Sequence, residues 1–230
     1  MDGMSNIPIN MTIDRRRTGQ ARIQGKAGSN FHGVNVSKGP TPGDAYIQGE
    51  QNGQTTTLRI NSAFSDNGHG VFGRIAGVPF KGNWAQEPTQ GDAELFLENA
   101  GSLTIDVNPE TGVTESQGTA IRSTAQIVNA EGDEELSLLA DGQRINMKID
   151  RKEGGSMEIR GRSGDGPFRV TIDRRGDQGD LRIKGTIPES LSLLPVMWEL
   201  YGDDSVEKPE KPLSMGAVAT MSAFWHSKIS

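Results

Sequence analysis

Three stretches of the chain end an alternating segment in Ile-Asp followed by two basic residues: Ile13-Asp14-Arg15-Arg16, Ile149-Asp150-Arg151-Lys152 and Ile172-Asp173-Arg174-Arg175. Each runs into a Gly-containing turn within three residues. Guanidinium groups repeated in this way suit phosphate or sulfate oxygens, because the planar fork donates two parallel hydrogen bonds. If the three segments occupy equivalent places in one sheet, Arg15, Arg16, Arg151, Lys152, Arg174 and Arg175 project from one rim as an anion- or ligand-binding cluster. The plainer expectation is that exposed turns carry charge for solubility, with Asp14, Asp150 and Asp173 pairing locally to the arginines.

Other residues with chemical potential are sparse. The chain has no Cys and 3 His, His32, His69 and His226. Thiolate metal sites, disulfides and a Cys nucleophile are therefore excluded. A zinc site needs three or four ligands, and a set of His32, His69 and Asp66 would require strands to bring them together. His226 near the C-terminus is expected at a helix end, where a cation is favoured. Asp173, Asp177 and Asp180 have acidic spacing but depart from a calcium-loop pattern and sit beside arginines. Arg175-Gly176-Asp177 spells an adhesion tripeptide and reads as turn filler. There is no Gly-x-Ser-x-Gly elbow and no phosphate-cradling Gly-rich loop before a helix. The expectation is no metal and no cofactor, and the reading leans away from an enzyme.

The elements that hold these residues repeat. Ile9-Asn10-Met11-Thr12-Ile13-Asp14-Arg15 returns as Ile145-Asn146-Met147-Lys148-Ile149-Asp150-Arg151, an offset of 136 that also relates Gly19, Ile23 and Gly25 to Gly155, Ile159 and Gly161. A looser copy runs from Phe168 to Gly185, and Gly43–Gly49 parallels Gly179–Gly185. Residues 9–49 and 145–185 thus read as two copies of one two-hairpin unit. Within them apolar and polar residues alternate, the mark of half-buried strands with one wet face. The middle keeps this pattern: Thr55–Ile60 with Gly70–Ile75, Glu94–Leu97 with Ser102–Val107, and Ala120–Val128 with Glu135–Leu139 flank Gly- and Asp-bearing turns. About twelve to fourteen strands are expected, spaced as in an antiparallel barrel or sandwich. Five Ile-x-Gly pairs, at Gly25, Gly49, Gly77, Gly161 and Gly185, read as Gly closing a strand at a bulge or corner.

The C-terminal section differs. Pro188–Gly202 clusters large apolar residues around Pro195 and reads as short helical turns. Residues 203–212 are charged and Pro-bearing, hence a linker. Leu213–Ile229 is mostly apolar and holds Phe224 and Trp225, but is too short for a membrane span. Met215, Val218, Met221, Phe224 and Trp225 are expected to form an interface, against a partner subunit, a lipid surface or the barrel mouth.

The fold expected is all-β: a large antiparallel barrel or sandwich over residues 1–187, with internal duplication (9–49 and 145–185) and a short helical C-terminal section, 188–230, packed on it. The end strands are expected to be neighbours that close the sheet; two separate sheets split near residue 110 form the competing layout. Lys+Arg 24 against Asp+Glu 30 gives a net charge of −6, which argues against general nucleic-acid binding. The first expectation for function is a non-catalytic binding or assembly protein, a homo-oligomer formed through the apolar C-terminal segment. The second is a peripheral binder of anionic lipid or a phosphate-bearing ligand at the cationic rim. The third is an enzyme with a site assembled from distant loops. No apolar h-region or membrane span is visible, so a cytoplasmic location is expected.

Overall fold

The computed structural model describes residues 5–16, 19–39, 44–65, 68–87, 92–98, 101–176, 179–202 and 213–229. Its strands fall into four successive sets. The first is β1 (Asn6–Arg15), β2 (Ala21–Ala27), β3 (Asn30–Lys38) and β4 (Ala45–Gln51); the second is β5 (Gln54–Ser65), β6 (Gly68–Ile75), β7 (Val78–Glu87) and β8 (Asp92–Leu97). The third is β9 (Gly101–Val107), β10 (Val113–Gly118), β11 (Ile121–Ile127) and β12 (Glu134–Ala140), and the fourth is β13 (Gln143–Arg151), β14 (Met157–Ser163), β15 (Gly166–Arg175) and β16 (Asp180–Pro188). Each strand pairs antiparallel with the next, and β1 pairs with β16, so the sheet is one closed sixteen-stranded barrel. The layout of two separate sheets does not form, because β9 and β10 pair straight across residue 110.

The sequence pattern yields fewer strands because β7 and β10 hide their periodicity. The inward positions of β10 are Thr114 and Ser116, both buried, so polarity does not alternate there. Pro79 and Gly82 interrupt β7; a Cβ on Gly82 would lie 2.0 Å from the Phe96 carbonyl oxygen. The Ile-x-Gly pairs also need correction. Gly25 and Gly185 lie within strands at φ +144° and +141°, where a Cβ would fall about 2 Å from a neighbouring strand's carbonyl oxygen. They bend strands rather than close them, whereas Gly77 belongs to the β6–β7 turn.

The four sets are equivalent. An apolar-x-Ile-Asp/Asn segment recurs at Met11–Asp14, Leu58–Asn61, Leu103–Asp106 and Met147–Asp150, one in the first strand of each set. The facing strand begins at a Gly-Asp pair: Asp44, Asp92, Asp133 or Asp180. Asp180 Oδ1 accepts the Arg15 N–H at 2.7 Å, Asp92 Oδ1 accepts that of Val107 at 2.8 Å, and Asp133 Oδ1 accepts that of Arg151 at 2.7 Å. The same bond joins the second set to the third and the third to the fourth, and closes the barrel between β16 and β1.

The inward residues of β1 and β2 between Ile9 and Ala27 are mainly apolar and buried; their outward positions carry Asn10, Thr12, Asp14, Arg22 and Lys26. On these two strands the outward face is polar, the reverse of a lipid-facing pattern. No described helix is long and apolar enough to cross a membrane. Barrels of this strand number commonly leave an aqueous channel, but here the C-terminal section fills the interior. A 3-10 turn (Glu189–Leu191) follows β16, then α1 (Leu194–Tyr201), with Pro195 in its first turn, and α2 (Met215–Ile229). All eight residues of α1 are buried, and residues from Met215 to Trp225 of α2 are buried on every face, as in a helix enclosed by protein. The two helices pack on each other, and α2 lies against β9–β12. Phe80 of β7 meets Trp225 with ring centroids 4.5 Å apart. The linker expected at 203–212 lies outside the described residues.

Of the three settings expected for the apolar C-terminal segment, the chain's own barrel is the one that covers it. Met215, Val218, Met221, Phe224 and Trp225 are at most 1% exposed inside the chain's own barrel. Their apolar surface is consumed by the wall and α1.

Candidate functional site

The barrel topology brings the ends of the three repeated strands to one side. Because all neighbours are antiparallel, β13, β15 and β1 run the same way and end at the same rim. Two strand spacings separate each from the next, about 10 Å. Arg151 and Lys152, then Arg174 and Arg175, then Arg15 and Arg16 therefore follow one another along an arc of about 20 Å. Arg17, beside them in sequence, and Asp177 lie outside the described residues.

The six residues divide by exposure. Arg16, Lys152, Arg174 and Arg175 are exposed. Lys152 donates to Glu158 at 3.2 Å, and the Arg174 side chain lies against Gly155 and Gly179. Arg15, Arg151 and Arg174 continue the inward parity set by Ile13, Ile149 and Ile172, and of the three only Arg174 is exposed. Arg15 Nε and Nη2 donate to Glu199 Oε2 at 3.0 and 2.9 Å, and Nη1 donates to the Gly179 carbonyl at 3.1 Å. The Glu199 side chain is 0% exposed and sits on α1. Arg151 Nε donates to the Gly132 carbonyl at 3.0 Å, and Nη2 reaches Glu134 Oε1 at 3.4 Å. Glu134 in turn accepts the Met215 and Gly216 N–H groups at 3.1 and 2.8 Å, placing a carboxylate on the positive N-terminus of α2. The duplicated arginines thus hold the two plug helices through buried carboxylates.

A second charged cluster lies on the outer wall. Glu158, on β14, has a side chain only 1% exposed beneath Lys152, Arg160 and Arg169, with Arg160 Nη2 at 2.6 Å. The Arg160 hydrogen bond leads the effects that hold its carboxyl down to about 2, against the opposing effect of burial. Inside the barrel, burial lowers the His32 imidazole to about 4, and Gln51 lies directly opposite it. Burial also lowers His226, opposed by Glu189 and Asp141, while Ser192 Oγ lies 3.3 Å from its Nδ1. Burial raises the Tyr201 phenol well above its ordinary value.

No three His, Asp or Glu side chains among the described residues are placed to share a metal. Asp66 lies outside the described residues, so the set with His32 and His69 has no described geometry. The carboxylates Glu134, Glu158 and Glu199 were not singled out by sequence reasoning. The signal for two of them is present: strict alternation places positions 15 and 151 on the inward face, where a buried arginine requires a buried anion. Compared with known proteins, the chain matches no family model, no curated protein and no solved structure.

Proposed function

We propose that the protein is a non-catalytic binding protein whose plugged barrel is a rigid frame for an anion-binding rim. The observation that supports this is the division of the basic turns. Arg15 and Arg151 turn onto buried carboxylates, whereas the side chains of Arg16, Lys152, Arg174 and Arg175 are exposed along one arc, with Lys152 also reaching Glu158. Guanidinium groups so spaced fit a ligand with several phosphate or carboxylate oxygens, such as an anionic lipid headgroup. The buried helices leave the rim charges, rather than an apolar tail, as the element offered to such a surface.

The test is co-sedimentation with vesicles of phosphatidylserine in phosphatidylcholine, with pure phosphatidylcholine and soluble inositol hexakisphosphate as separate arms. Binding to the anionic vesicles, weakened by salt and reduced at least about tenfold by Arg16→Glu with Arg174→Glu and Arg175→Glu, supports the reading; three exposed contacts of about 1 kcal/mol each suffice for that loss. Binding of the soluble phosphate alone assigns the rim to a free ligand. Binding to neither, or binding indifferent to the three reversals, contradicts it.

A further inference from the structure

The outer wall carries two like-charge sets that the fold itself does not require. Lys148 of β13 stands directly opposite Arg160 of β14, which stands directly opposite Arg169 of β15. Like charges in such positions repel across the strands. Glu158 and Glu135, the latter directly opposite Lys148 across β12–β13, offset part of this, but Arg144, Arg162 and Lys184 add further exposed cations to the same four strands. On β9 and β10 the sign is reversed: Asp106 stands directly opposite Glu115, and both are exposed. Around them the small side chains Ser102, Thr104 and Thr124 leave a concave strip of about 710 Å³, with Arg122 the one cation lining it. Glu94 of β8 extends the acidic wall on one side, and Glu135 of β12 marks its other edge, directly opposite Lys148 of β13 where the two walls meet.

We infer that these walls are the two halves of one contact, in which the basic wall of one molecule (β13–β16) docks on the acidic wall of a second copy (β8–β12). A basic wall alone would serve any polyanion. A second copy also accounts for the acidic wall, whose concave strip admits long Lys and Arg side chains between short Ser and Thr neighbours. Opposite charges across the contact relieve the repulsion within each wall. The surfaces are different patches of one barrel, so the contact is heterologous and propagates head-to-tail until a ring closes. The rim residues proposed above take no part in it.

The test is multi-angle light scattering on the full-length chain over a range of concentrations, at about 0.02 M and about 0.3 M salt. Charge reversal is made on residues that do not touch Glu158: K148E with R162E on the basic wall, and D106K with E115K on the acidic wall. The expected result is a mass that rises at least about twofold with concentration at low salt and collapses at high salt. Each reversed variant alone is monomeric, and an equal mixture of the two regains the wild-type mass, because each variant then meets its complement. Unchanged thermal midpoints verify that the variants are folded, and K148Q with R162Q replaces the first pair if it fails this check. A wild-type monomer at every concentration in low salt overturns the inference, as does assembly that survives both reversals. A monomer that binds heparin through Lys148 and Arg162 also overturns it, and assigns the basic wall to a polyanion instead.

Discussion

Arg15 occupies a position where alternation demands an inward side chain, at a height where the barrel contains α1. A cation there is tolerable only because Glu199 receives two of its N–H groups and the Gly179 carbonyl receives a third. Removing the guanidinium leaves a carboxylate with a fully covered side chain lacking this partner. Arg15→Ala is expected to destabilise the fold by about 3–5 kcal/mol, whereas Arg15→Met with Glu199→Leu, which removes both charges, costs far less. Urea unfolding midpoints of the two variants check this; equal losses would refute it. His32 gives a second effect at this scale. Its ordinary value of 6.5 falls to about 4 in the fold. The unfolded chain therefore takes up a proton that the folded chain refuses, and stability is lost as pH falls from 6.5 towards 4. Denaturant midpoints across that window should fall for the wild type and fall less steeply for His32→Phe; parallel slopes would count against the buried neutral imidazole.

Among the elements, the strands show most clearly what the sequence conveys. Those with Ile, Leu, Val or Met at inward positions, such as β1 and β13, announce themselves by alternation. β10 does not, because α2 approaches that side of the wall and the inward residues are the small polar Thr114 and Ser116. The same close approach explains Gly216 in α2: a Cβ there would lie 2.5 Å from the Ala125 Cβ and 3.1 Å from Glu134 Oε2. Gly216→Ala should gain nothing from helix propensity and instead cost about 1–3 kcal/mol through overpacking. Ala125→Gly in the same chain should return part of that loss, as measured by thermal unfolding. A stabilised Gly216→Ala would show that α2 is not held this close to β11. The duplicated turns were legible as a basic rim. Alternation turns Arg15 and Arg151 inward, but it does not say which carboxylates receive them: Glu199 lies on α1, far from Arg15 in sequence, and Glu134 stands among Glu131, Asp133 and Glu135.

At the scale of the whole molecule, closure follows from the repeat. The segment 9–15 and its copy 145–151 lie in β1 and β13, each the first strand of a set of four. Sets two and three have drifted in sequence, yet the Asp92–Val107 bond matches the Asp133–Arg151 and Asp180–Arg15 bonds. The fourfold plan is thus carried by the short Ile-Asp/Asn and Gly-Asp segments of all four sets, although the longer identity joins only the first and the fourth. The destination of the C-terminal section was not legible at all. Apolar composition states that a helix must be buried, but not whether a partner, a lipid surface or the chain's own barrel buries it. The structure places α2 inside, against β9–β12, with its N-terminus tied to Glu134. The central claim is therefore that the plug is the interior of the barrel and unfolds with it. Native-state hydrogen exchange on the amides of Met215–Ile229 tests this most directly. Protection of Ala217–Trp225 equal to that of β11 and β12, rising and falling with global stability, is the predicted result. Exchange of α2 by local opening, far faster than the flanking strands, would contradict it.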